Sequence, residues 1–101
     1  MDLENRLKHI ADKRIPFFVN SAAKWAFLPK KTNAMGLYLG KIKIASFMEN
    51  TTDPRKKRFI VLCAVPTVMK NLGSFDTELE CVQECEDVVR FYISQLNSEH
   101  Q

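Results

Sequence analysis

Apolar positions in the last third of the chain fall at Leu79, Val82, Cys85, Val89, Ile93 and Leu96. Steps of three and four place them on one face of a helix. Thr77 followed by Glu80 forms a capping box, which satisfies orphan N–H groups at a helix start. The pattern predicts a helix over 77–96, with Gly73 ending what precedes it. Near the N-terminus, Leu3, Leu7, Ile10 and Ala11 share a second helical face over 2–13. Asp2 can cap it, and Pro16 stops it by driving Ile15 out of the α region. Arg6, Lys13 and Arg14 fall on its other face.

Between Pro16 and Pro29, the positions Phe18, Ala22, Trp25 and Ala26 match helical spacing and predict a second short helix. The run Phe17-Phe18-Val19 is also compatible with extended chain. Residues 35–47 predict one strand, with Tyr38, Ile42 and Ile44 on one face and Leu39, Lys41 and Lys43 on the other. Residues 49–57 are rich in Asn, Thr, Asp and Pro and predict a loop. The run from Phe59 to Val65 is apolar on both faces, as a central strand requires. Pro66 then marks a strand end or bulge, and 67–72 predict a short third strand.

The predicted order is α-α-β-β-β-α. Segments joined by short turns pair antiparallel. The expected fold class is therefore α+β: N-terminal helices, a three-stranded antiparallel sheet, and a C-terminal amphipathic helix packed on the sheet. A chain of 101 residues is expected to form one domain, with a helical segment over 1–28 and a sheet-plus-helix unit over 35–96. The expected core includes Leu79, Val82, Val89, Ile93, Ile42 and Val61. Trp25 and Phe27 are expected in that core rather than on a base-stacking surface.

The charge is unevenly distributed. Residues 1–75 hold 14 Lys+Arg against 5 Asp+Glu, whereas residues 76–101 hold 1 against 7. A basic body followed by an acidic helix bears on partners rather than on fold. The start Met1-Asp2-Leu3-Glu4-Asn5 lacks the basic and apolar regions of a secretory signal. No apolar run approaches the roughly 18 residues of a membrane span. The expected location is intracellular, cytoplasmic or nuclear, with no membrane partner and with Cys63, Cys81 and Cys85 as free thiols.

Those cysteines are also the only metal candidates worth weighing. Cys81 and Cys85 stand four apart on a helix, and Cys63 could face them, with His9 or His100 as a fourth ligand. There is no Cys-x-x-Cys pair and no compact His pair, so no metal and no cofactor are expected. Glu78, Glu80, Glu84, Glu86 and Asp87 are expected on the solvent face of the last helix. No nucleophile stands at readable spacing from a base, and no phosphate-cradling glycine loop is present, so no enzyme is expected.

The cations suggest binding instead. Arg55, Lys56, Lys57 and Arg58 end the loop, Lys41 and Lys43 share a strand face, and Lys30, Lys31 and Lys70 add to them. A small sheet can enter the major groove and offer such side chains to phosphates and base edges. The segment Leu72-Gly73-Ser74-Phe75-Asp76-Thr77, with Glu80 after it, resembles the sheet-to-helix junction of Apetala-type (ethylene-response-factor) DNA-binding domains. It is similar also to the arm-binding domains of phage integrases. The resemblance implies a sheet that faces DNA through the Lys41/Lys43 strand and the Arg58-led strand, with the helix packed behind. The competing expectation is a protein-interaction module, an inhibitor or adaptor of the kind mobile elements encode. It would turn the same cations toward an acidic partner protein.

Overall fold

The computed structural model describes residues 2–16, 23–64 and 71–99, with side chains as far as 95. Helix α1 (Leu3–Lys13) leads into five strands: β1 (Ala23–Phe27), β2 (Ala34–Leu39), β3 (Ile42–Glu49), β4 (Phe59–Cys63) and β5 (Asn71–Phe75). Helix α2 (Glu78–Glu99) closes the order. The strands lie side by side in chain order, and every neighbouring pair is antiparallel. The α+β class and the C-terminal helix packed on an antiparallel sheet hold. The three-stranded sheet does not hold, and among the described residues one helix precedes the sheet.

Two local features account for the extra strands. Residues 23–27 form β1 rather than the end of a helix, because Ala23 and Trp25 are buried while Lys24 and Ala26 are exposed. That alternation is the strand period, and it outweighs the helical spacing of Trp25 and Ala26. Phe18 and Ala22, which complete the helical pattern, lie outside the described residues. The second feature is a hairpin that divides the single strand expected over 35–47 into β2 and β3. Gly40 has φ 62° and Lys41 keeps a negative φ, the sign pattern of a type II′ hairpin turn between the paired residues Leu39 and Ile42. The strand expected over 67–72 is β5 instead, and residues 65–70 lie outside the described residues.

Register sorts the side chains onto two faces. Trp25, Leu37, Ala45 and Cys63 pair across β1 to β4, and Phe27, Met35, Phe47 and Val61 form the next row. These rows face both helices. Leu7 of α1 and Cys81, Val82, Cys85, Val88 and Val89 of α2 complete one buried core with them. Within it, the Trp25 and Phe47 rings meet edge to face at 5.7 Å, and Phe47 meets Phe59 at 6.0 Å. Each such large side chain contributes about 1.5–3 kcal/mol by leaving water. Val82, Val89 and Val61 lie in this core as expected, and Ile93 packs against it. Leu79 and Ile42 do not, being 67% and 66% exposed. The buried face of α2 is turned away from Leu79, and Ile42 sits at the sheet's end beside the hairpin turn.

Both helix starts follow their caps. Asp2 Oδ1 accepts from the Asn5 N–H at 2.9 Å, and Thr77 Oγ1 accepts from the Glu80 N–H at 3.2 Å. The Thr77 hydroxyl in turn donates to Glu80 Oε1 at 3.0 Å. Among the described residues, no helix is long and apolar enough to cross a membrane.

Candidate nucleic-acid interface

The loop between β3 and β4 is built around Asn50. Its Nδ2 donates to the carbonyls of Asp53 (2.7 Å), Lys57 (2.9 Å) and Lys56 (3.3 Å). Its Oδ1 accepts from the N–H groups of Asp53 (3.0 Å) and Thr52 (3.3 Å). Its own N–H donates to the Arg58 carbonyl at 2.7 Å, closing the loop. One short amide side chain thus satisfies backbone groups that would otherwise depend on water. The Lys57 N–H adds a tie to Ser74 Oγ on β5 at 3.2 Å.

This scaffold displays four exposed cations, Arg55, Lys56, Lys57 and Arg58. Arg55 Nε lies 3.3 Å from Asp53 Oδ1, and Lys57 Nζ lies 3.8 Å from Asp76 Oδ2. Both pairs are solvent-facing and contribute little. The Arg58 guanidinium stands 5.2 Å from the centre of the Phe59 ring, a cation–π contact.

Antiparallel order places the β1–β2 turn at the same end of the sheet. Lys30 and Lys31 are exposed there, at the same end as the Arg55 to Arg58 loop, and the Glu49 N–H bonds the Asn33 carbonyl at 3.0 Å between the two connections. The turn closes with the Lys31 N–H on the Leu28 carbonyl at 3.1 Å. Lys30 holds φ 62°, a left-handed conformation that costs a non-glycine residue on the order of 1 kcal/mol. Lys41 sits in the opposite hairpin turn and Lys43 beside it, roughly 20 Å away along the strands. The expected cations therefore form two groups, one at each end of the sheet. Lys70 lies outside the described residues.

The sheet face turned away from the helices carries a different pattern. Lys24, Tyr38 and Lys43 are register partners across β1, β2 and β3, so Tyr38 stands between two exposed lysines. This corrects the expectation that Tyr38 and Lys43 lie on opposite faces, since the hairpin at Gly40 reverses the chain between them. The adjacent row is Ala26, Gly36 and Ser46. Tyr38 leans along β2 over Gly36: a Cβ added at Gly36 would stand 2.8 Å from the ring's Cε2 and 3.0 Å from Leu28 Cδ2.

On the helix side, one carboxylate departs from the expected solvent face. Glu86 is 1% exposed. Its Oε1 accepts from Arg14 Nη2 at 2.8 Å, and its Oε2 from Arg14 Nε at 3.0 Å and Trp25 Nε1 at 3.1 Å. The bond to Glu86 raises the Arg14 pKa above its ordinary value. This cluster joins the end of α1, β1 and α2. Arg6, at the other end of α1, stands 2.8 Å from Glu78 on α2. Arg6 and Arg14 are thus engaged with α2. Sequence reasoning does not single out Tyr38, Lys24, Asn50 or Glu86 for a role in the site. Of these, only Asn50, in its Asn-Thr-Thr-Asp-Pro turn, leaves a readable signal.

Burial, followed by the neighbouring Glu80, Glu78 and Glu84, pushes the Cys81 thiol up to about 12. Burial likewise pushes the Cys85 thiol up. Cys63, Cys81 and Cys85 are free of disulfides and buried. Raised thiols of this kind are poor nucleophiles near neutral pH.

Comparison with protein-family models, with curated proteins and with solved structures finds no match to this chain.

Proposed function

We propose that this chain is a non-enzymatic, intracellular nucleic-acid-binding protein that grips the phosphate backbone with the connections at one end of its sheet. The observation that carries this reading is the Asn50 scaffold, which fixes the backbone presenting Arg55, Lys56, Lys57 and Arg58 at the end of the sheet that also carries Lys30 and Lys31. A preordered loop loses less entropy on binding than a flexible one. The strained Lys30 supports the same reading, since left-handed cost at a non-glycine residue is tolerated where the side chain has a task. The acidic α2 packs on the helix side of the sheet, so its carboxylates stand away from Lys24 and Lys43.

Binding to random DNA across a salt series is the test. Affinity should fall steeply as salt rises, because each neutralised phosphate releases counterion. Arg55→Ala, Lys56→Ala and Lys57→Ala together should flatten the log–log slope by about one unit for each phosphate no longer neutralised. Asn50→Ala should weaken binding while leaving every cation in place. Absence of binding to duplex and single strand at low salt would refute the reading. The same loop would then be the site for an acidic partner protein, a second reading favoured by apolar Met48, Ile60 and Leu62 on the helix-free face.

A further inference from the structure

We propose that the sheet face turned away from the helices binds single-stranded nucleic acid, one base stacking on Tyr38 with the flanking phosphates held by Lys24 and Lys43. The inference rests on the nucleic-acid reading above and specifies which form of nucleic acid is bound, and where. Four observations support it. Tyr38 is register-paired with Lys24 on one side and Lys43 on the other, so an aromatic ring lies between two cations on adjacent strands. Neighbouring strands are about 4.8 Å apart, so both ammonium groups are within reach of phosphates flanking a base on the ring. The ring leans down over Gly36, which is buried beneath it and Leu28, so the half-buried Tyr38 side chain is held in place by the sheet under it. Among the described strand positions on this face, the charged residues are Lys24 and Lys43, so no carboxylate repels a phosphate there.

The same path explains the division of cations between the two ends of the sheet. A nucleic-acid strand running along β2 and β3 leaves Tyr38, Lys41 and Lys43 at one end and meets Lys30, Lys31 and the Asn50-held loop at the other. The distance of roughly 20 Å accommodates on the order of four nucleotides, the low end of single-strand site sizes. A duplex cannot use Tyr38, because its bases are already stacked within the helix. Stacking is tolerant of sequence, since every base offers a π-face.

The test compares a thymine oligomer of about 12 nucleotides, its uracil RNA counterpart and a duplex of equal length. Either single strand should bind more tightly than the duplex, and the two arms show whether DNA or RNA is preferred. Tyr38→Leu keeps apolar cover over Gly36 but removes the π-face, and should weaken single-strand binding about tenfold. It should leave duplex affinity unchanged. Tyr38→Phe should bind as the parent does. Gly36→Ala, which pushes the ring out of its place, should weaken single-strand binding in the same direction. Equal affinity for single strand and duplex, or an unaltered Tyr38→Leu, overturns this inference while leaving backbone binding by the loops in force. Displacement of the oligomer by a poly-glutamate peptide at equal charge also overturns it, since charge alone would then suffice. No binding to any of the three overturns both proposals.

Discussion

The two faces of the sheet differ in what they ask of a side chain. The helix-side face is filled by large residues, Trp25, Phe47 and Phe59, whose rings interlock edge to face. Its principal buried polar group, Glu86, has three hydrogen bonds from Arg14 and Trp25. The opposite face places Ala26, Gly36 and Ser46 in the row where the helix side has bulk, and sets Tyr38 between Lys24 and Lys43. One face is therefore organised by volume and satisfied polarity, whereas the other sets an aromatic ring between two exposed cations beside the apolar Met48, Ile60 and Leu62. Residues on the first should govern stability, and residues on the second should govern binding.

The largest effect should come from Glu86→Ala. It leaves the buried Trp25 N–H without its acceptor and the Arg14 guanidinium, whose side chain is 35% exposed, with water as its partner, a loss of about 1–3 kcal/mol. Urea unfolding should show that loss as a lower midpoint. A midpoint within error of the parent would mean that the cluster does not hold α1, β1 and α2 together.

A second effect should appear at alkaline pH, smaller than the first as far as about pH 9. The native state holds the Cys81 proton up to about 12, whereas the unfolded chain releases it near an ordinary thiol pKa of about 8.5. The folded pKa is the higher one, so the stabilisation is complete below about pH 8.5 and is lost as pH climbs toward about 12. Cys81→Ala should flatten that part of the stability–pH curve. An unchanged slope in the variant would remove Cys81 from the buried, proton-holding core.

The smallest effect should be that of Lys24→Ala and Lys43→Ala on stability, within about 0.5 kcal/mol of the parent. A loss above about 1 kcal/mol would make these lysines structural and erase the contrast between the faces.

How much of this is legible in the sequence follows the range of each interaction. The Thr77–Glu80 cap and the α2 core positions Val82 and Val89 depend on neighbours three or four residues away, and the sequence pattern places them correctly. The same pattern draws the α2 face one step too wide at Leu79, because spacing alone does not say where the sheet ends. Alternation runs on across Gly40 and Lys41, so two strands look like one, although a glycine before a lone polar residue is itself a hairpin signal. Glu86 has no local signal: its partner Arg14 is 72 residues away, and only the fold brings them together. Lys24 and Tyr38 likewise meet through register, so the cations visible in the sequence supply the charge of the site without its platform.

The central claim is that nucleic acid lies on the helix-free face and on the connections at one end of the sheet. Backbone and side-chain NMR shifts during titration with a thymine oligomer test it most directly. The account predicts perturbations at Lys24, Tyr38, Lys43, Lys30 and residues 55–58, with the buried α2 positions Val82, Glu86 and Val89 unmoved. Perturbations concentrated on α2, with Tyr38 and Lys43 silent, would contradict it.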